Sequence, residues 1–399
     1  MTWEIKTIKD LGKVVTGKTP SKEVSDYYEN GELLFISPKD LDWNSYFVFD
    51  SQTKVTEKAY FSQKNQIVPR NAIFYTSLSF AIGKMGIASQ DSLTNQQIHS
   101  IVVNDKNNFK FVYYLLQSYR PYIFSYNSGI DTPIVPKSTF EKIKINLPSL
   151  DIQTKIAGIL SAYDELIENN KKRIALLETM AEELYKEWFV RFRFPNYENT
   201  EFEKGVPKTW KYSELGTLGS VRTGKTPSTT NSEFYGGEFL FYKTPDMHDK
   251  YFVFETEETL TELGMQSQKS QIIQPNSIMV TCIGTGGVTA ISTKLGCTNQ
   301  QINSLTLEDE TYLEWAYLMM KDLKPQIEAF GATGATMTNL SKTKFSNLKV
   351  LIPNNDLILE FHQKIKPVLK ILAAQLQILV ALTQLLVAGV VGIRLGQLG

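Results

Sequence analysis

Two strings in this chain have the residue types and spacing of a phosphate cradle: GKVVTGKT at Gly12–Thr19 and GSVRTGKT at Gly219–Thr226. Both satisfy G-x-x-x-x-G-K-[ST], in which backbone amides and a lysine wrap the phosphates of a nucleotide. That chemistry also needs a buried strand ending at the first glycine and a helix starting at the lysine. The flanks supply neither. IKTIKDL and KYSELGTL are poor buried strands, and Pro20 or Pro227 follows at once, ahead of polar runs. What remains is a loop with a lysine, threonines and bare amides, which can grip a DNA phosphate without hydrolysing anything. A second doubled string, TNQQI at Thr94–Ile98 and Thr298–Ile302, carries adjacent amides. Such amides donate and accept at once, which matches the N6/N7 edge of adenine; equally, they can satisfy backbone at the start of a strand. His99, His248 and His362 are scattered, with no cluster at metal-ligand spacing. There is no G-x-S-x-G and no Asn/Asp-Pro-Pro-aromatic string of the kind that holds an amine for methyl transfer. Nothing here reads as a catalyst, and no cofactor is expected.

Two long helices must position these strings. From Asp151 to Trp188, apolar residues recur at Ile152, Ile156, Ile159, Tyr163, Ile167, Ile174, Leu177, Ala181, Leu184 and Trp188. Steps of three and four put them on one face of a helix about 60 Å long. Beyond Ile167 the rhythm is that of a coiled-coil seam with Asn170 on it. Ile358, Phe361, Ile365, Val368, Leu372, Leu379, Leu382 and Leu386 repeat the rhythm with Gln375 on the seam. Ile167, Asn170, Ile174 and Leu177 map onto Leu372, Gln375, Leu379 and Leu382 at one offset, 205. Equivalent polar seam positions are expected to face each other near the middle of an antiparallel pair. Pro367 is expected to kink the second helix or delay its start.

Nearly the same offset, between 204 and 207, runs through the whole chain. Trp3 matches Trp210, TGKTPS at Thr16 matches TGKTPS at Thr223, YFVF at Tyr46 matches YFVF at Tyr251, and NAIFYT at Asn71 matches NSIMVT at Asn276. The chain is therefore a globular unit and a long helix, written twice. ELLFIS, NAIFYTSL, HSIVVN and IKINLP, with EFLFYK, NSIMVT, INSLTL and LKVLIP, read as strands, and FVYYLLQSY and LEWAYLMMKDL as helices. Each unit is α/β or α+β, mostly sheet. FRFPNYENTEFEKGVPKTW reads as a polar linker.

Lys and Arg total 42 against 42 Asp and Glu, so any nucleic-acid site must be a local patch. The two cysteines and the lack of a leader at MTWEIKTIKD suggest the cytoplasm. The apolar run LVALTQLLVAGVVGI is short for a span and interrupted, so it reads as a helix end and not a membrane anchor.

Together the TG-x-TPS string early in each unit, the central NQQ string and the entry INLPSLDIQTKIAGIL resemble the specificity subunit of Type I restriction–modification enzymes. The resemblance covers nearly the whole chain. It implies two mixed α/β target-recognition domains joined by two long helices forming an antiparallel coiled coil. Residues 1–148 and 194–353 would hold the recognition domains, the latter with its linker. Residues 149–193 and 354–399 would be the helical regions. Each domain would read half of a bipartite site on double-stranded DNA. The helices would set the gap and dock two methyltransferase subunits, with restriction subunits attached to those. Expected DNA contacts are Lys18, Thr19, Ser21, Lys39, Lys84, Gln96 and Gln97 in the first unit. Arg222, Lys225, Thr226, Ser228, Lys243, Gln300 and Gln301 are those expected in the second. A tandem nucleotide-binding protein, favoured only by the two GKT strings, and a scaffold that binds proteins alone are the alternatives.

Overall fold

The computed structural model describes residues 3–129, 131–331 and 338–395. Contacts divide the chain into two compact units, one of residues 1–169 with 380–399 and the other of residues 170–379. Each unit thus owns one end of both long helices, Leu150–Tyr185 and Asn355–Leu395.

In the first unit a five-stranded sheet runs Gly12–Thr16, Ile98–Val103, Ile73–Thr76, Met85–Ala88, Phe47–Val48. It is antiparallel except for the last pair. A three-stranded sheet sets Leu33–Ile36 between Thr53–Val55 and the short Leu93–Thr94, the latter parallel. The second unit repeats both. Gly219–Thr223, Ile302–Leu307, Ile278–Thr281, Thr289–Ser292 and Phe252–Val253 form the five-stranded sheet. The long strand Tyr235–Tyr242 takes Gly296–Thr298 as its parallel neighbour. Ile73–Thr76 and Ile278–Thr281 are buried along their whole length, which is why they read as apolar runs without alternation. In each unit an outer strand before the sheet pairs with the last one: Glu4–Thr7 with Lys144–Leu147, and Lys211–Glu214 with Lys349–Ile352. The expected strands and both short helices, Phe109–Ser118 and Leu313–Asp322, are all present.

The GKT strings differ from a phosphate cradle at both ends. Gly12 and Gly219 begin strands, and no helix starts at Lys18 or Lys225. Without helix amides converging on a point, the strings do not form a P-loop.

The first long helix buries a different face in its first half than its apolar count suggests. Gln153, Ala157, Leu160, Ser161 and Asp164 are buried, whereas Ile159 is 63% exposed. Polar partners explain the shift. Gln153 accepts from the Asn108 amide and donates to Asn107 and to the Pro148 carbonyl, Tyr114 donates to Asp164, and Lys110 reaches Ser161 and Glu165. A polar face that is fully bonded can be buried as readily as an apolar one, and hydrophobicity alone does not see it.

Beyond Ile167 the buried face is mainly apolar. In the second unit Ile174, Ala181, Tyr185 and Trp188 pack in one core with Phe361, Ile365, Leu369 and Leu372, and Leu177 and Leu379 lie against it. Trp188 and Phe189 meet Phe361 at ring separations of 5.6 and 4.9 Å. With Trp188 against Phe361, an antiparallel pair sets Asn170 opposite Leu379 and Gln375 opposite Ile174. The two amides then miss direct opposition by about one helical turn. Gln375 Oε1 is buried without a hydrogen-bond partner, so no Asn170–Gln375 bond closes through that oxygen. The second helix starts at Asn355 and runs through Pro367 without a break, so no late start occurs.

The linker is less polar in effect than in composition. After a π-helical turn at Lys186–Val190 the chain reverses through Phe192 and Asn196, both with positive φ. Phe189, Phe192 and Phe194 all pack on Trp210, at 5.9, 5.3 and 5.6 Å. Four aromatics therefore clamp the linker to the second unit's core.

An 18-residue stretch of the second long helix has mean hydropathy 2.2 and only 17% of it is buried, so by length and composition that helix could cross a membrane. Residues 396–399 of the apolar tail lie outside the described residues.

Candidate nucleic-acid interface

In each unit the TGKTPS loop is clamped onto the NQQ string. Gly17 donates its amide to the Ile98 carbonyl, and Gly224 to the Ile302 carbonyl, at 3.3 and 3.0 Å. Both glycines sit where a side chain cannot. A Cβ on Gly17 would lie 2.2 Å from the Thr94 carbonyl, and one on Gly224 would lie 2.1 Å from the Asn299 carbonyl. Beyond the glycine, Thr19 Oγ1 donates to Gln96 Oε1 at 2.8 Å and Thr226 Oγ1 to Gln300 Oε1 at 2.6 Å. Tyr28 and Tyr235 close the far side by donating to the carbonyls of Pro20 and Pro227. Lys18 and Lys225, between these anchors, are exposed, and among the described residues neither forms a salt bridge. Ser21 and Ser228 are exposed on the same loops.

The NQQ strings are internally bonded. Asn95 Nδ2 donates to Gln97 Oε1 at 3.2 Å while Asn95 Oδ1 accepts the Gln97 amide. Asn299 and Gln301 do the same, and Thr244 Oγ1 adds a second donor to Gln301 Oε1. The side-chain oxygens of Gln96, Gln97 and Gln300 each accept one hydrogen bond, and that of Gln301 accepts two. An amide oxygen can accept two, so of these four glutamines Gln301 is the one with no acceptor left for a bidentate pairing with adenine, which needs that oxygen as well as the nitrogen. Gln96 and Gln300 brace the loops, while Gln97 and Gln301 close the NQQ turns on themselves.

The remaining cations fall into two groups. Lys39 is exposed on the turn Pro38–Asp40, at the end of strand Leu33–Ile36, whose last carbonyl accepts from Asn95. Lys84 is half-buried with Nζ 3.9 Å from Asp42. Arg222 and Lys243, by contrast, are engaged within the unit. Arg222 Nη1 donates to the Ile272 carbonyl, and Lys243 Nζ pairs with Glu258 at 3.0 Å and Glu257 at 3.4 Å.

One residue that the strings did not flag is His99. Burial holds its imidazole below the usual pKa, so the ring is neutral near pH 7. Nε2 lies 3.0 Å from the Val135 carbonyl, which can only accept, so Nε2 carries the proton and Nδ1 accepts from Thr16. In the second unit Asn303 takes its place, accepting from Thr223 and donating to the Leu340 carbonyl. The only sequence signal for this exchange is the position of both residues one step beyond NQQI. Burial also pushes the thiols of Cys282 and Cys297 up, to about 11 and about 12. Both are therefore unreactive near pH 7. No group of metal-ligating side chains occurs among the described residues.

The family described as Type I restriction modification DNA specificity domain matches residues 1–179 and again residues 207–384. The MjaIX specificity subunit of Methanocaldococcus jannaschii is 30% identical over 392 residues, covering 95% of this chain and 89% of that protein. The HindI specificity subunit of Haemophilus influenzae is 28% identical over 294 residues, 58% of this chain and 64% of that one. The solved S subunit of a Type I restriction–modification system from M. genitalium superposes with a TM-score of 0.66 over 98% of this chain, at 16% identity, which shows a shared fold. With the domain present twice and a braced pair of loops in each copy, the chain belongs to the Type I restriction–modification DNA specificity family.

Proposed function

We propose that each unit reads one half of a bipartite, asymmetric site on double-stranded DNA, and that the chain itself carries out no catalysis. The observation that carries this reading is the doubled brace, which presents an exposed lysine beside a half-buried threonine at the same place in two related units. Lys18, Thr19, Ser21 and Lys39, with Lys225, Thr226 and Ser228, are the groups we assign to phosphates, and Lys84, half-buried near Asp42, is a further candidate. Gln96 and Gln300 support the loops and Gln97 and Gln301 the NQQ turns, with the four amide nitrogens assigned to donate to DNA. Residues 1–148 and 194–353 form the recognition domains in this reading, and 149–193 and 354–399 the helical regions that set the spacer.

Those helices carry a second apolar face. In the first unit Ile159, Leu166, Leu385, Val387 and Val391 are 48–63% exposed, and in the second Leu176, Met180, Ile371 and Ile378 are 44–70% exposed. Ile371, Ile378 and Leu385 follow one another at seven-residue steps, the spacing of a helix-binding stripe. We assign these faces to two methyltransferase subunits, with restriction subunits joined through them, and to no membrane. The setting is the cytoplasm, in keeping with two buried free cysteines.

Lys18→Ala or Lys225→Ala is expected to weaken binding to all duplexes alike and to lower the salt slope of the binding constant by about one. A changed sequence preference at constant slope would overturn the phosphate assignment. The domain reading is tested by replacing residues 1–148 with the first unit of another family member, in the complete complex. Mapping modified adenines should then show one half-site changed and the other kept. A change in both would mean that the units read jointly.

A further inference from the structure

The two braces are the same in both units, so they cannot be what makes two half-sites differ. The element that differs beside them is the turn that follows the central strand. Ser77 donates its amide to the Gln97 carbonyl at 2.8 Å, and Cys282 to the Gln301 carbonyl at 2.7 Å, so both turns leave the sheet at the NQQ string. The turns share a backbone. Ser79 and Gly284 both adopt positive φ, 66° and 81°, as do Gly83 and Gly287, 95° and 77°. Each closing glycine is pressed against a long cationic side chain, Arg120 in the first unit and Lys324 in the second. Four residue steps separate the two positive-φ positions in the first turn, but three in the second.

The contents of the turns diverge. The first carries Phe80, whose side chain stands 75% exposed, and ends at Lys84; the second carries Thr285 and ends at Val288. The first turn is also held stiffly. Ser79 donates its amide to the Pro133 carbonyl at 2.6 Å, and Ile82 to the Ser79 carbonyl. Arg120, behind Gly83, donates to the Trp43 carbonyl and lies 5.2 Å from the Trp43 ring. A serine in the left-handed region and an exposed phenylalanine on a pinned turn are both unfavourable for the free chain, and they coincide on the turn that leaves the sheet at the NQQ string.

We infer that the turns Ser77–Lys84 and Cys282–Val288 are specificity-determining elements, and that Phe80 makes an apolar base contact, on a thymine 5-methyl group, in the first half-site. A phenyl ring has neither donor nor acceptor, so it selects by shape and by the methyl that thymine alone among the ordinary DNA bases presents in the major groove. Lys84, at the end of the same turn, supplies a cation that the second unit lacks at Val288. The inference rests on the DNA-recognition reading above.

The test uses the complete complex, with modified adenines mapped for the parent, Phe80→Ala and Phe80→Leu proteins. Phe80→Ala should relax one base pair of one half-site, with discrimination there falling about tenfold or more, and leave the other half-site unchanged. Phe80→Leu should keep most of the preference. Because the ring is exposed, the melting temperature should hold for both variants. On duplexes, replacing thymine by uracil at the relaxed position should weaken the parent protein and not Phe80→Ala. An unaltered motif with Phe80→Ala, or equal uracil effects on parent and variant, would overturn the inference. A parent complex with no bipartite motif would instead defeat the recognition reading beneath it.

Discussion

Gly17→Ala is expected to lift the first TGKTPS loop off its strand and to cost the protein its hold on one half of its DNA site. The new Cβ would stand 2.2 Å from both the carbonyl and the hydroxyl oxygen of Thr94, and 2.3 Å from the Asn95 carbonyl. Two of those three atoms are backbone, one in strand Leu93–Thr94 and one in the turn just after it, and cannot step aside, so the loop must move. Overpacking of this kind costs roughly 1–3 kcal/mol, and the Thr19–Gln96 bond, worth about 1 kcal/mol, is lost with it. The larger effect is on binding, because Lys18, Thr19 and the loop amides are displaced together. Duplex affinity should fall further with Gly17→Ala than with Lys18→Ala, and Thr19→Val should fall between the parent and Gly17→Ala. Gly224→Ala is its counterpart in the second unit. Unchanged affinity in a Gly17→Ala protein that melts at a lower temperature would take the loop away from the DNA.

A chain ended after Leu379 is expected to lose the cooperative fold of its first unit and keep that of its second. Residues 380–393 belong to the first unit, and Leu386, Val390 and Ile393 are buried there. Gly389 approaches so closely that a Cβ on it would come within 2.7 Å of Leu160. Each buried aliphatic side chain contributes roughly 1.5–3 kcal/mol. Three of them approach the whole stability of an ordinary domain, about 5–15 kcal/mol. Amide exchange should show protection lost across residues 3–169 and retained in the sheets of the second unit. Full protection of Ile98–Val103 in the shortened chain would refute this.

The repeat made most of the fold legible, because a doubled TGKTPS and NQQI can only come from two copies of one unit. Strands such as Ile73–Thr76 were readable because they are buried on both faces and so appear as unbroken apolar runs. Met85–Ala88 and Thr289–Ser292 were not, since GKMGIA and GGVTAIS dilute that signal with glycine. The buried face of the first helix was displaced to Gln153, Ala157 and Leu160 by hydrogen bonds to a neighbouring helix, a fact that no one-dimensional pattern contains. The linker misled in the opposite direction: its polar residues outnumber Phe192 and Phe194, yet those two rings on Trp210 decide its path. At the site, the cradle strings were rejected on what surrounds them, and the fold agrees. That Gln96 and Gln300 brace the loops follows from where Thr19 and Thr226 point, which is a tertiary fact.

The division of the long helices between the units also sets an order in time. The second unit is one continuous stretch, residues 170–379, whereas the first needs residues 380–393 to close. On a ribosome adding about 5–20 residues per second, the part of the first unit that is made earliest must wait for the part made after the whole second unit. During that interval Leu160 lacks the segment around Gly389 that lies against it, and Leu386, Val390 and Ile393 have yet to be made. The amino-terminal reader is thus the later of the two to mature.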